Sequence, residues 1–448
     1  MTTRAHQSFG RTFAPASAVI GADEGLRSLL ERRSPATSML PVGNTRSYGD
    51  SCLNSDGLII DMASMNRILS FDASTGVMVA EAGVSLDDII AFAAPHGYFP
   101  AVVPGTRYIT LGGAIANDVH GKNHHRRGTF GRHVESLDLL RSDGEVSHCS
   151  PSHEAAMFGA TVGGMGLTGI ILRATIRLMK VSSLDVDETV TPFGSLDDYF
   201  DLADEADAAN EYAVAWVDQL ASGRGAGRGL LLTGNHAEGP SMEVGRARLG
   251  VPFQPPVNVL NRPFLTAFNF AYRTAKSARR QKRSSFSSFF FPLDGVSNWN
   301  RLYGPAGLHQ HQSVVPVDAA RIAIPAMFDA ARAAGQGSFL TVLKKFGDVA
   351  SPGLISFPRP GFTLTLDFPN RGRSTLDLLA RLDAIAVDAG GAVNPYKDAR
   401  MSPQTFDASF AHWRRLEAMR DPAFMSDFWR RTALRLEEIG MPLAAAAE

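Results

Sequence analysis

Cysteine is nearly absent from this 448-residue chain: there are two, Cys52 and Cys149, and they form no CxxC pair. That excludes a disulfide scaffold and a cysteine-built zinc cage, and it fits a reducing compartment. Net charge is nearly absent as well, with 45 acids against 44 Lys plus Arg, while 44% of the residues are hydrophobic. Such a chain folds rather than staying disordered. No apolar run reaches the roughly 18–20 residues that cross a bilayer. The opening MTTRAHQSFGRTFAPASAV lacks the unbroken apolar stretch of a secretory signal. There is no GxxxxGK[ST], and no GxGxxG at a strand-to-helix turn, so the two commonest phosphate-binding signatures are missing. The length allows two or three domains with large cores, and a cytoplasmic, multi-domain protein is expected.

One local absence is more telling. Between Val244 and Leu293 there is no Asp or Glu, yet Arg246, Arg248, Arg262, Arg273, Lys276, Arg279, Arg280, Lys282 and Arg283 all fall there. Phe264, Phe268, Phe270, Tyr272, Phe286, Phe289, Phe290 and Phe291 share the same window. Basic side chains interleaved with aromatics suit an anionic membrane surface, a phosphorylated ligand or nucleic acid; a charge run alone also fits a solvated loop.

Hydrophobic periodicity predicts alternating strands and helices in the first 180 residues. A helix is expected over Asp23–Arg33, and strands at Ser38–Val42, Leu58–Met62 and Val77–Glu81. Helices follow at Leu86–Ala94 and Gly112–Val119, then a hairpin turn at Ser142–Gly144 and a closing strand at Thr168–Met179. Beyond Lys180 the texture changes. Strand-like runs at Tyr212–Leu220, Gly229–Gly234, Ser313–Val317, Phe339–Phe346 and Phe362–Phe368 alternate with helices at Leu196–Ala208, Ala319–Ala334 and Thr375–Ala389. Phe406–Met419 and Ser426–Ile439 both read as amphipathic helices, and Ala444–Ala447 as a frayed tail. The class is α+β, with two unlike domains.

Three glycine-rich segments stand out: GNTRSYGD at 43–50, PGTRYITLGGAIANDVHG at 104–121 and GGMGLTG at 163–169. Glycines at strand ends let backbone N–H groups approach a diphosphate, and successive N–H groups form an anion nest. Three such loops in one domain point to a large diphosphate cofactor. His120, His124, His125 and His133 invite a metal reading, but glycines break the helix there, no HExxH is present and no acidic ligand lies between His120 and His133. No metal is expected.

These segments, GNTRSYGDSCLNSDGLIIDM, PGTRYITLGGAIANDVHGKNHHRRGTFGRHV and GGMGLTGIILRATI, resemble the FAD domain of vanillyl-alcohol-oxidase type flavoenzymes. Within that group the chain is similar to the bacterial decaprenylphosphoryl-β-D-ribose 2′-oxidases. The likeness continues through Phe9–Arg11, Asn298–Gly307, the Gln310-x-Gln312 pair, Leu343–Gly347 and Tyr396–Arg400.

The resemblance implies an FAD-binding domain of two α/β subdomains at 1–180 and a substrate domain at 181–391, with an antiparallel sheet flanked by helices and a mobile basic loop at about 262–291. A C-terminal segment at 392–448 returns to the FAD domain. Carried over by position, Val42, Gly43, Asn44, Thr45, Arg46, Ser47, Tyr48 and Gly49, with Pro104, Gly105, Thr106, Gly112, Gly113, Asn117, His120 and Gly121, wrap the FAD diphosphate and ribityl chain. Gly166 and Ile170 approach the other end. Some relatives tether FAD through a histidine in the first loop; Arg46 stands there, which implies a non-covalent cofactor. Tyr48, Gln312, Lys344, Thr365 and Lys397 are the implied substrate-facing residues.

The implied reaction sends a hydride from a secondary alcohol to flavin N5 and the hydroxyl proton to a base. His120 and Lys397 are the catalytic candidates, either of them able to take the proton, since a histidine accepts protons near neutral pH and a buried lysine does so when desolvated. Related sequences carry cysteine at the place of Thr365, asparagine at Thr363, Tyr-His at Phe290-Phe291 and tyrosine at Asn394, expected pocket positions where the sugar preference changes. The implied product is the 2′-keto sugar of a polyprenyl-phosphoryl ribose, reduced afterwards by a nicotinamide-dependent partner to the arabinose epimer. A protein peripheral to the inner membrane, with no nucleic-acid partner, follows. Two alternatives stay open: an oxidase or dehydrogenase of a soluble alditol or aldonolactone, and a non-catalytic protein binding polyprenyl phosphate or nucleic acid.

Overall fold

A computed structural model describes residues 7–13, 18–31, 37–239, 241, 244 and 249–438. Arg246 and Arg248 of the acid-free window, Arg32 and Arg33 at the end of the first expected helix, Ile439 and the Ala444–Ala447 tail lie outside the described residues. The N-terminal part holds two sheets. Ala18–Gly21, Leu58–Asp61 and Met39–Val42 form a parallel sheet with Leu58–Asp61 in the middle. Ile59 and Ile60 are both fully buried, as expected of a parallel strand covered on both faces. The second sheet is antiparallel and centred on the closing strand Ile170–Lys180, which pairs with Val77–Glu81 on one side and Val134–Leu140 on the other. Ile68–Asp72 adds an edge strand that the sequence pattern did not announce, because three of its five side chains face solvent.

The second domain is built on one antiparallel sheet of eight described strands, ordered Gln281–Ser284, Val186–Phe193, Gly229–His236, Tyr212–Val217, Thr341–Phe346, Gly361–Pro369, Leu308–Val315 and Ala392–Val393. Successive side chains in a strand point to opposite faces. Leu343, Leu364 and Leu366 pack with Ile324, Phe328, Leu378 and Leu382 of the helices Val317–Ala333 and Arg373–Asp388. The other face carries Gln310, Gln312, Thr363, Thr365, Val342 and Lys344. Its register sets Gln312 opposite Thr365, and Lys344 opposite Thr363.

Residues 262–291 are not the expected loop. Arg262–Ser277 is a helix, started by the Asn261 side chain accepting from the Phe264 N–H and by Pro263 in the first turn. Gln281–Ser284 extends the sheet along Val186–Phe193, and Phe286–Phe290 is a short helix. Buried Glu188 organises the turn between them, binding Lys276 at 2.9 Å and Lys282 at 3.3 Å. Phe286, Phe289, Phe290 and Phe291 are buried with Phe99 and Tyr212, whereas Phe264 and Phe270 remain 42% and 68% exposed.

The C-terminal segment is more broken than its periodicity suggests. Phe406–Met419 splits into Pro403–Ser409 and Trp413–Met419, and a π-helical turn at Arg430–Leu434 interrupts the next helix. This segment runs back onto the N-terminal part, where the Met39 N–H donates to Ala423 O at 2.7 Å and the Met425 N–H to Met39 O at 2.9 Å. Arg431, in the π turn, binds Asp50 at 2.6 Å and also Asp398. A Cβ on Gly49 would lie 1.5 Å from Asp398 O, so only glycine lets the strap Asn394–Arg400 close over the first loop. The architecture is α+β with two domains.

Candidate active site

A cavity of about 570 Å³ lies between the two domains. The first loop, Val42–Tyr48, and the second, lined at Pro104, Gly105, Thr106, Gly112, Gly113 and Asn117, form its N-terminal walls, with Gly166 between them. Gln310, Gln312, Val342, Lys344 and Thr365 of the sheet face close the other side, with Asn394 and Lys397 from the strap. His120 stands where the two sets meet. Gly49, Gly121 and Ile170 do not line the cavity. Gly49 makes room for the strap, Gly121 packs against Val103 O, and Ile170 belongs to the core beneath.

The loop geometry fits a diphosphate cofactor. Among the described residues, the backbone N–H groups of Asn44, Thr45, Arg46 and Ser47 have no protein partner, and Thr45 takes a left-handed conformation at φ 51°. Consecutive unpaired N–H groups beside a left-handed residue, lining a cavity, suit a nest for an anion. Gly43 sits so close to Thr110 that a Cβ would approach its hydroxyl to 2.2 Å, which brings the first two glycine-rich loops together. Thr110 in turn caps the Leu111–Ala116 helix.

At the other end four nitrogen-bearing side chains converge. His120 Nδ1 is 3.2 Å from Lys344 Nζ and its Nε2 is 3.1 Å from Gln312 Nε2. Burial, then the charges of Lys344, His124 and Lys397, holds His120 well below its ordinary pKa, so the ring is neutral at physiological pH. Burial also lowers Lys344 to about 7. Lys397 is lowered to about 8 by burial, against the opposing pull of Asp367, and its Nζ rests 4.6 Å over the Tyr48 ring. Asp367 lies behind, bound by Gln310 Nε2 at 2.5 Å.

The remaining histidines disperse. His124 packs on Phe346, His125 meets Asn210 O at 3.0 Å, and His133 meets Arg127 O at 3.1 Å. Of the four expected pocket differences, only Thr365 and Asn394 line the cavity. Phe290-Phe291 lie in the aromatic core, and Thr363 sits one hydrogen bond behind Gln312. Gln310 and Asp367 were not among the expected site residues. The alternation in Leu308–Val315 was the available signal for Gln310, since residues two apart in a strand share a face.

A family model described as an FAD binding domain matches residues 31–150. The chain is 36% identical over 468 residues to the decaprenylphosphoryl-beta-D-ribose oxidase of Mycolicibacterium smegmatis, covering 97% of this chain and 98% of that protein. It is 32% identical to an uncharacterized protein of Streptomyces coelicolor, across 78% of this chain and all of that one. Mouse L-gulonolactone oxidase is 31% identical over 38% of each chain. A free nest beside paired glycine loops, a histidine between two buried lysines and a likeness that runs nearly end to end have one common explanation: this chain belongs to the decaprenylphosphoryl-β-D-ribose oxidase family and is an FAD-dependent oxidoreductase.

Proposed function

We propose that the protein oxidises the 2′-hydroxyl of a polyprenyl-phosphoryl-β-D-ribose to the ketone, with FAD bound non-covalently. The observation that carries this reading is the convergence of His120, Lys344, Lys397 and Gln312 at one end of a cavity whose other end is a free N–H nest. FAD in the nest supplies the two-electron acceptor. The chain supplies the rest. Asn44–Ser47 bind the diphosphate, while Tyr48, Gln312, Lys344, Thr365 and Lys397 hold the sugar. Lys397 presents positive charge where electron density arrives, in a site that excludes water and so strengthens the interaction. The hydroxyl proton passes to a base within the cluster of His120, Lys344 and Lys397. The ketone is then a substrate for a separate nicotinamide-dependent reductase, and the two steps together invert the carbinol to the arabinose epimer.

A polyprenyl chain leaves a bilayer at a cost of about 0.8 kcal/mol per exposed CH₂, so the enzyme works at the inner membrane surface. The exposed basic and aromatic side chains of Arg262–Arg280 support that placement. Among the described residues no helix is long and apolar enough to cross a membrane.

Anaerobic titration of the yellow enzyme tests the reading. A polyprenyl-phosphoryl ribose is expected to bleach the flavin band, and soluble alditols or aldonolactones to leave it. Lys397→Ala should slow bleaching by roughly 10²-fold and still retain FAD, because the nest is untouched. Bleaching by the soluble sugars alone would sink the proposed substrate.

A further inference from the structure

Hydrogen-bond polarity around Gln312 is fixed atom by atom. The backbone N–H of Tyr396 can only donate, and it donates to Asn394 Oδ1 at 2.9 Å. The other amide atom of Asn394 is therefore the nitrogen, which donates to Gln312 Oε1 at 2.9 Å. That leaves Gln312 Nε2 to donate to Thr363 Oγ1 and to His120 Nε2, each at 3.1 Å. His120 Nε2 is thus an acceptor with its lone pair engaged. The single proton of the neutral ring sits on Nδ1.

Nδ1–H points at Lys344 Nζ, 3.2 Å away. An ammonium has no lone pair to accept it, whereas an amine does. The surroundings favour the amine. Burial removes water from Lys344, and Lys122 from the loop after His120 and Lys397 from the strap face it as like charges. Among the described residues no carboxylate forms an ion pair with it. A neutral amine near physiological pH, lining the cavity, becomes a general base when a substrate hydroxyl displaces Nδ1–H from its lone pair. His120 offers no such exchange: its Nε2 lone pair is held by Gln312, itself fixed by Asn394 and Thr363, and its Nδ1 carries the proton.

We propose that Lys344 is the base that takes the substrate hydroxyl proton, held in its amine form by a relay from the Tyr396 N–H through Asn394, Gln312 and His120. This rests on reading the protein as an alcohol oxidase. In the step, the hydroxyl O–H bond breaks and its proton forms an N–H bond on Lys344, which becomes an ammonium. The carbinol C–H bond breaks with its electron pair, which passes to FAD as the oxidant, and the carbon becomes a carbonyl. The ammonium has lost its contact with Nδ1–H, so its proton leaves to solvent with product release and the amine is restored. His120, Gln312 and Asn394 are positioning residues.

Two measurements separate this from a structural role. In holoenzyme carrying ¹⁵N-labelled histidine, the His120 signals should show a protonated Nδ1 and an unprotonated Nε2, and Gln312→Leu should move them toward the other tautomer. A proton found on Nε2 in the native enzyme overturns the relay. Lys344→Ala should retain FAD, lose about 10²-fold or more in flavin reduction, and lose the acid limb of its pH profile. Small primary amines should restore part of the rate. Retention of that acid limb in Lys344→Ala assigns the base elsewhere. If the native enzyme is not bleached by the sugar lipid, the substrate reading fails, and the histidine tautomer still decides the relay.

Discussion

Cys52 is the side chain on which the mode of cofactor attachment turns. It lines the cavity, and a thiolate there would be a candidate tether, but burial beside Asp50 pushes its thiol up to about 12. The thiolate is the nucleophile in thiol chemistry, and this thiol stays protonated at every pH the protein meets. Arg46, at the position where some relatives carry a tethering histidine, lies against Phe9 and Tyr108 and offers no nucleophile. Acid or heat denaturation should therefore release free FAD into the supernatant. Yellow colour left on the washed precipitate would show a covalent bond. Residue identity was largely legible in the sequence here, because GNTRSYGD, HGKNHH and YKDAR name Tyr48, His120 and Lys397 directly. The role proposed for Lys344 was not. Its charge state follows from polarities that cross from the strap to the sheet and then to the loop after Leu111–Ala116, and no spacing within one segment encodes that.

The element read most differently by sequence and structure is the helix Arg262–Ser277. Its basic residues drew attention to solvent, yet Phe264, Phe268 and Tyr272 recur at intervals of four and stack at 6.3 and 5.9 Å, a helical row. Only part of the apolar surface is covered. Phe268 reaches Phe339, while Phe264 and Phe270 stay out, with Phe253 and Val257 exposed just before the helix. An amphipathic helix of this kind suits a membrane interface, where each free basic side chain would add about 1 kcal/mol. Lys276 and Lys282 are occupied by Glu188, so among the described residues the charges of this helix and the turn after it without an ion pair are Arg262, Arg273, Arg279 and Arg280. Replacing Phe264 and Phe270 with serine should weaken binding to anionic vesicles about tenfold, by loss of buried apolar area. The change should raise KM for the lipid-linked substrate and leave turnover of a short, water-soluble analogue alone. Unchanged vesicle binding would remove this helix from the membrane.

At the scale of the whole molecule the two domains meet along a seam of mixed character. Arg126 donates to the carbonyls of Asp207 and Ala208, and His125 lies 3.5 Å from the Asp207 carboxylate. Burial pushes the Asp207 carboxyl up to about 7. A carboxyl raised above its unfolded value, about 4, favours the folded state below that value, and the contribution is lost as pH rises to 7. Asp207→Asn keeps the neutral form at every pH. The melting temperature of the variant relative to the native protein should therefore climb between about pH 4 and 7 and level off above. A difference that does not change with pH would mean that Asp207 titrates normally. The two-domain α+β class was readable from the change of texture after Lys180. The return of the C-terminal segment came from the family resemblance and not from periodicity, since it depends on pairings between Met39 and the Ala423–Met425 stretch, nearly the whole chain apart.

That return path sets an order of events during synthesis. Domains fold from the N-terminus as the chain emerges, and the first two glycine-rich loops are available early. Asn394 and Lys397, however, belong to a strap held by Arg431, which is synthesised after every strand of the sheet. A nascent chain can present an open nest but not a closed cavity. A product truncated before Arg431 lacks the side chain that holds the strap, and is expected to stay colourless and free of redox activity, however much of its fold has formed.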